Sequence, residues 1–316
     1  INCFNLETAR TVITAAEEEN APIIINIFQD HFIHHCDSRL ICPIVRTLAE
    51  QASVCVALNL DHGQERDIVQ RAMDDGFSSV MIDASRFDFE ENIRITKEVV
   101  DYAHARGISV EGEIGCLGAS EGGALTQEAM YTDPKQAEIF FEKTGIDALA
   151  ISFGTSHGNY PKGMTPKFDI ERLKEIKRRT KAPLVLHGGS GSGRENIVNA
   201  VKYGINKINV GCDFMNANRD AAAAVLKEQP DINFFDLVSE VEKRSRAVVR
   251  EYIKLSGSDG KNKNLDIRNG LIMMVGVLAF TVVGSYISSL VPSTTMGNFS
   301  VFMTFLLGIK FIVKPV

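Results

Sequence analysis

Short runs rich in β-branched residues recur along the first 210 residues, and amphipathic helical stretches separate them. The strand-like runs cover residues 22–27, 54–60, 78–83, 108–114, 147–152, 183–187 and 207–210. Several of the helical stretches end in glycine, as helix C-termini commonly do. Strict alternation of strands and helices predicts an α/β fold with a parallel sheet.

The number of strands favours a closed barrel over an open sheet. Residues 1–4 form one more strand-like stub, which brings the count to eight, and polar residues follow many of the strands instead of gathering at one switch point. We therefore predict a (β/α)8 TIM barrel. Because the sequence opens abruptly inside the stub, we expect the first barrel strand to be truncated.

Charge and motif content exclude several functions. The chain carries 40 acidic and 34 basic residues and lacks a long basic run, so nucleic acid is not an expected partner. No GxGxxG follows the first strand and no GxxxxGK[ST] occurs, which argues against dinucleotide and P-loop folds. Six cysteines without a CxxC pair are typical of reduced thiols in the cytoplasm.

The sequence changes character after residue 260. A polar, basic linker at 261–270 precedes an uncharged apolar run at 271–290, whose length of about twenty residues suits a membrane span. A second apolar run follows at 300–313. We predict a barrel domain over 1–260 and a transmembrane or membrane-associated helical hairpin over 271–316, with both ends facing the cytoplasm.

Three histidines follow predicted strands. His62 lies in LNLDHG, His157 in FGTSHG and His187 in LHGGSG, each with a glycine after it. The carboxyl ends of barrel strands meet at one mouth, so three imidazoles there predict a catalytic metal site with open positions. Any one of them alone is more often a capped or exposed residue. The other histidines show no such placement: His31, His34, His35 and His104. The run HHC at 34–36 resembles a metal motif, but adjacent residues on a loop predict plain surface positions.

Four carboxylates accompany these histidines. Asp61 precedes His62 and is expected to act as a general acid or base, or else as a capping or supporting group. Glu111 and Glu113 alternate on one strand face, so Glu113 is expected by the metal and Glu111 one layer deeper. Glu121 lies in a glycine-rich stretch that predicts a mobile loop or a solvated charge.

Two glycine-containing turns predict a phosphate site. One contains Gly188, Gly189 and Ser190 after the seventh strand, and the other spans 209–213 after the eighth. Backbone N–H groups at such turns bind phosphate in many barrels, although glycine-rich turns also occur for steric reasons alone.

These residues, in this order, resemble the class II fructose-bisphosphate and tagatose-bisphosphate aldolases. The matching motifs are NLETARTVITAAEEENAPIII, ALNLDHG, MIDAS, FEENI, VEGEIG, FGTSHG, LHGGSG and KINVGCD, and the resemblance covers residues 2–260. It implies a carbon–carbon lyase of carbohydrate metabolism that cleaves or forms a ketose 1,6-bisphosphate, with dihydroxyacetone phosphate and glyceraldehyde 3-phosphate on the other side of the reaction.

The resemblance also implies roles for single residues. Asp61 moves a proton at the substrate hydroxyl of the bond that breaks, Glu121 exchanges a proton on the enediolate, and Asn209 contacts that enediolate. One catalytic zinc is held by His62, His157 and His187, with Glu113 beside it.

The resemblance implies the substrate-binding residues in the same way. The dihydroxyacetone phosphate end, often with a sodium or potassium ion nearby, is held by Gly158, Gly188, Gly189, Ser190 and Asn209, with Gly211, Cys212 and Asp213 in the last turn. Cys212 stands where a threonine is usual, which weakens the expected phosphate site.

The resemblance further implies a cytoplasmic dimer or tetramer, with a helper subunit in some members. The tail faintly resembles the closing helices of sulfite-exporter-type permeases, which would tether the enzyme to the membrane.

Three other functions remain open from the sequence. A Schiff-base aldolase needs a lysine at the carboxyl end of a strand, but Lys207 begins its predicted strand at the opposite rim. A zinc hydrolase would leave the two phosphate turns without a role. A catalytically weakened, membrane-tethered module that binds sugar phosphates would account for Cys212.

Overall fold

The computed structural model describes residues 1–115, 131–154 and 166–264. Within them, seven parallel strands form one sheet in which each strand pairs with the next along the chain. The strands are β1 (Ile23–Phe28), β2 (Val56–Gly63), β3 (Ser79–Ile82), β4 (Ser109–Ile114), β5 (Ala148–Ile151), β6 (Leu184–Leu186) and β7 (Ile205–Ile208). All seven predicted strands are therefore confirmed, with shifted ends.

Helices alternate with these strands. They are α1 (Leu6–Glu18), α2 (Gln29–His34), α3 (Ser38–Gln51), α4 (Arg66–Asp74), α5 (Phe89–His104), α6 (Pro134–Thr144), α7 (Ile170–Thr180), α8 (Arg194–Tyr203), α9 (Cys212–Glu228) and α10 (Phe234–Leu255), followed by a 3-10 turn at Lys261–Asn264. The order of elements confirms the predicted α/β class.

The first three residues contact both edges of the sheet. The backbone N–H of Asn2 donates to Val210 O at 2.9 Å, and that of Cys3 donates to Asn26 O at 2.8 Å. In return, the N–H of Asn26 donates to Ile1 O at 2.9 Å. These residues thus lie between β1 and the end of β7, where the stub strand was predicted, but they form an isolated bridge and not an eighth strand.

Both faces of the sheet are buried. A large apolar core includes strand residues such as Ile25 and Leu60, together with residues of the surrounding helices. A smaller cluster of Met81, Ala150 and Val185 lies apart from it. Met81 pairs with Glu111 and Ala150 pairs with Glu113, so the two glutamates share the face of the smaller cluster.

Two differences from the predicted pattern bear on the site. The connection between β1 and β2 holds α2 and α3, for which the sequence predicts no element; Pro43 lies inside α3, and a proline usually ends a helix. Strand β7 begins at Ile205, two residues earlier than predicted. Lys207 therefore lies within the strand and not at its start, which corrects its placement at the opposite rim.

Residues Ile1–Asn262 form one compact unit, and Lys263–Val316 form another. No helix in the described residues up to 264 is long and apolar enough to cross a membrane. The predicted spans at 271–290 and 300–313 lie outside those residues, so the apolar tail and the domain limits stay predictions.

Candidate active site

The carboxyl ends of four strands, two adjacent pairs in the sheet, supply the polar residues of the site. His62 lies near the end of β2, Asp83 follows β3, His187 follows β6 and Asn209 follows β7. His62 has a φ of 49°, and a Cβ added to Gly63 would lie 2.5 Å from Met81 O. The glycine of the DHG motif is therefore required by close packing beneath the histidine.

His62 and His187 face each other through their ring nitrogens. His62 Nε2 and His187 Nδ1 are 2.9 Å apart. The second nitrogen of each ring meets a carboxylate: His62 Nδ1 lies 2.9 Å from Asp83 Oδ2, and His187 Nε2 lies 2.7 Å from Glu111 Oε1. Carboxylates in this position fix the tautomer and orientation of metal-binding histidines, so the facing nitrogens are set up as a pair of ligands.

Several carboxylates are buried close to His62. Burial lowers the pKa of His62, but its hydrogen bond to Asp83 and the charges of Asp61 and Glu113 outweigh burial and raise that pKa to about 10. Glu113 Oε2 is buried 3.9 Å from His62 Nδ1 and has no hydrogen-bond partner within the described part of the chain. Burial and the charge of Asp83 raise the pKa of Glu113. Such an excess of acceptors favours a bound cation.

Asp61 is anchored through both carboxylate oxygens. Asn209 Nδ2 donates to Oδ1 and Asn2 Nδ2 donates to Oδ2, each at 2.8 Å. Burial raises the pKa of Asp61, but the charges of His62, His187 and Lys207 outweigh it and, with the Asn2 hydrogen bond, lower the pKa to about 2. Asp61 is also close enough to both histidines to share a metal ion with them. The structure thus presents an ionised, oriented carboxylate beside the imidazole pair.

A cavity of about 320 Å³ opens onto these groups. It is lined by Asn2, Phe28, His31, Asp61, His62, His187, Gly188, Ser190, Asn209, Gly211, Cys212, Met215 and Asn216. The two predicted phosphate turns therefore border the same cavity as the histidines and Asp61.

Hydrogen bonds join the two turns, 188–191 and 209–213, to each other. The backbone N–H of Asp213 donates to Ser190 Oγ, and that of Gly191 donates to Asp213 Oδ2, both at 3.1 Å. Tyr252 of α10 adds a hydrogen bond of 2.6 Å from its hydroxyl to Asp213 Oδ2. A Cβ on Gly189 would lie 2.8 Å from Ile208 Cγ2, so this position requires glycine for close packing.

Three predicted site residues, His157, Gly158 and Glu121, lie outside the described residues. Every other predicted site residue is described. Glu111, predicted one layer deeper than Glu113, contacts His187 directly.

The sequence patterns missed several residues of the site. Asp83 could have been found, because it is the last residue of the predicted strand 78–83, and His62 was chosen for the same reason, its position at the end of a strand. His31 lines the cavity, but α2, which carries it, was not predicted. Lys207 donates to Glu111 Oε2 at 2.8 Å and to Asn209 Oδ1 at 2.7 Å. No sequence signal points to Asn2.

The comparisons with known proteins agree with this geometry. The family model described as fructose-bisphosphate aldolase class-II matches residues 1–261. The chain belongs to this family. Class II aldolases are carbon–carbon lyases, so the reaction class predicted from the motifs is confirmed.

Relatives of this aldolase match over most of their length. A fructose-bisphosphate aldolase of Geobacillus stearothermophilus is 38% identical over 265 residues, which are 82% of this chain and 91% of the relative. One of Staphylococcus epidermidis is 40% identical over 233 residues, 73% of this chain and 81% of the relative. The crystal structure of the YdjI aldolase from Escherichia coli K12 superposes with a TM-score of 0.73 at 39% identity, covering 83% of this chain and 92% of that one. These relatives give no support to the predicted permease-like tail.

Proposed function

We propose that this aldolase uses zinc to cleave a ketose 1,6-bisphosphate, fructose or tagatose, into dihydroxyacetone phosphate and glyceraldehyde 3-phosphate, and catalyses the reverse condensation. One observation carries the proposal: the facing nitrogens of His62 and His187, each ring backed by a carboxylate, lie beside the doubly anchored Asp61 in one cavity.

The described residues fit a zinc ion. Two imidazole nitrogens are ligands that zinc prefers, and an oxygen of buried Glu113, without a hydrogen-bond partner among the described residues, is a further ligand atom close by. His157 is proposed as the third histidine ligand. When bound, the metal supplies a Lewis acid that polarises the ketose carbonyl.

The residues of the chain perform the remaining steps. Asp61, ionised and hydrogen-bonded through both oxygens, accepts the proton of the substrate hydroxyl at the bond that breaks, and returns it in the condensation. Asn209 lies between Asp61 and His187 and is proposed to contact the three-carbon fragment. Glu121 is proposed to exchange the carbon-bound proton of that fragment.

The two turns are proposed to bind the phosphate of the three-carbon fragment. Helix α9 begins at Cys212 with Gly211 at its N-cap, so its first N–H groups and the positive end of its dipole are near the cavity. Gly158, Gly188, Gly189, Ser190 and Asp213 complete this site. Because the donors are backbone groups, Cys212 in place of threonine removes only a hydroxyl.

Lys207 is unsuited to the Schiff-base alternative. Its ammonium group is paired with Glu111 and hydrogen-bonded to Asn209, and it does not line the cavity that holds His62. The proposal has four further parts. A sodium or potassium ion binds near the substrate phosphate, and the enzyme forms a dimer or tetramer. A helper subunit assists it, and the enzyme is cytoplasmic with a membrane tether at 271–316.

Metal removal tests the proposed mechanism. We expect EDTA to abolish cleavage of both fructose and tagatose 1,6-bisphosphate, and added zinc or cobalt to restore it, since the histidines form an open Lewis-acid site. Metal content is measured with the rates, and the ratio of the two rates identifies the preferred sugar.

Two results would contradict the proposed zinc-dependent cleavage. Full activity in metal-free protein, or a substrate adduct trapped by borohydride, would replace the zinc mechanism with a Schiff-base one. Tight binding of both sugars without turnover in zinc-loaded protein would favour the weakened binding module.

A further inference from the structure

Three side-chain amides lie in a row behind Asp61. Asn59 Nδ2 of β2 donates to Asn26 Oδ1 of β1 at 3.1 Å, and Asn26 Nδ2 lies 3.4 Å from Asn2 Oδ1. Asn2 Nδ2 then donates to Asp61 Oδ2 at 2.8 Å. Asn26 and Asn59 are partners in the parallel register of β1 and β2, so the sheet itself brings these amides together.

The orientation of every amide in this row follows from Asp61. An ionised carboxylate only accepts hydrogen bonds, so Asn2 must present its NH2 group to Asp61 and its oxygen to Asn26. Asn26 must then present its NH2 group to Asn2, and its oxygen accepts from Asn59. All three amide dipoles consequently point their positive ends toward the carboxylate.

The buried amides of this row do not maximise the stability of the fold. Asn26 and Asn59 are buried, with exposed fractions of 1% and 0%, and Asn59 Oδ1 accepts no hydrogen bond from any described residue. An unsatisfied buried acceptor lowers the stability of the fold. Apolar side chains at these two strand positions would avoid that cost, so the amides need a reason other than packing.

We propose that Asn2, Asn26 and Asn59 act as positioning residues that align Asp61 for proton transfer; the inference rests on the proposed role of Asp61. Asn209 anchors Oδ1 but also faces the cavity and His187. The amide row supplies the second anchor at Oδ2, with Asn2 at the cavity wall and Asn26 and Asn59 behind it. With both oxygens held, the carboxylate cannot rotate about its own axis, and the hydrogen-bonded amides polarise one another.

The substitution Asn2→Ala tests this role, because two reactions of the enzyme depend differently on Asp61. Cleavage of the bisphosphate requires a proton to leave the hydroxyl at the breaking bond. Exchange of the carbon-bound proton of dihydroxyacetone phosphate with solvent breaks no carbon–carbon bond and does not need that transfer. We expect Asn2→Ala to lower kcat for cleavage about 10- to 100-fold, as a small misplacement of a reacting group does.

The same variant should keep its other properties. KM for the bisphosphate, zinc content and the rate of proton exchange, followed by NMR in D2O, should stay within about 3-fold of the unsubstituted enzyme, because Asp61 itself remains. The variant Asn2→Gln keeps an amide donor and should recover part of kcat.

Asn59→Leu is the matched variant at the far end of the row. It removes the unsatisfied oxygen of Asn59 but leaves Asn26 Oδ1 without a donor, so the number of unsatisfied acceptors is unchanged. We expect the melting temperature to stay the same and kcat for cleavage to fall, less than in Asn2→Ala.

The outcomes separate this inference from the proposed function. Equal losses of cleavage and exchange in Asn2→Ala, or no loss of either, would overturn the positioning role. If the unsubstituted, zinc-loaded enzyme catalyses neither reaction, the proposed function itself fails.

Discussion

At the scale of single residues, Asp61 can be a proton carrier or a metal ligand, because it lies close enough to His62 and His187 to share an ion with them. We expect Asp61→Ala to retain zinc and to lose about 10²- to 10⁴-fold in turnover, the usual contribution of a general acid or base. Metal analysis and cleavage kinetics on the same sample check this. Loss of zinc together with activity would make Asp61 a ligand.

Substitution of Asp83 should have the opposite effects to substitution of Asp61: weaker zinc binding with turnover nearly unchanged. Asp83 contacts His62 Nδ1 at 2.9 Å and so orients the ring, and it does not line the cavity at the site. We expect Asp83→Asn to weaken zinc binding about 10- to 100-fold, as the loss of a carboxylate behind a metal-binding histidine does, and to leave kcat at saturating zinc nearly unchanged. Competition with a zinc-sensitive dye measures the affinity. A low kcat that excess zinc does not restore would contradict this role.

Lys207 supports the site by balancing a buried charge. Its ammonium group pairs with Glu111 at 2.8 Å, and the side chain of Glu111 is 3% exposed. Lys207→Met leaves that buried carboxylate with His187 as its remaining contact, and we expect a loss of about 3 kcal/mol in the free energy of unfolding, the low end of the cost of breaking a buried ion pair. Urea denaturation measures it, and the double variant Lys207→Met with Glu111→Gln should recover much of the loss.

At the scale of elements, the end of β2 depends on Gly63. A Cβ at this position would lie 2.5 Å from both Met81 O and Val69 Cγ2, so β2 would have to move away from β3 and α4. We expect Gly63→Ala to destabilise the fold by about 1–3 kcal/mol and to weaken zinc binding, because His62 precedes it. Gly211→Ala is the control for stability, since its φ is −122° and its Cβ would come no closer than 3.6 Å to Asn2. Equal melting temperatures for the two variants would contradict this packing argument.

At the scale of the whole molecule, every described residue assigned to the site lies in the unit Ile1–Asn262. Asn262 belongs to this unit, since its side chain accepts from Cys55 N and donates to Ser53 O, both at 2.9 Å. We expect a chain ending at residue 264 to keep the zinc content and turnover of the full chain. One that ends at 255 loses these contacts and should melt at a lower temperature. Loss of activity in a folded 1–264 chain would assign residues 265–316 a role in the barrel.

The sequence by itself determined the alternation of strands and helices, because periodicity follows from which faces are buried, and this is a local property. It also determined that His62, His187, Asp61 and Asn209 meet, since the carboxyl ends of parallel strands share one rim. Strand alternation placed Glu111 on the same face as Glu113 but did not predict its contact with His187, because alternation gives a face and not a distance.

Only the tertiary structure decided which side chains support these groups. Asn2 precedes Asp61 by 59 positions, and the two meet because residues 1–3 lie between β1 and the end of β7. Lys207 reaches Glu111 across a separation of 96 residues. Contacts of this kind depend on the register between strands and on side-chain direction, and neither leaves a periodic signal in the sequence.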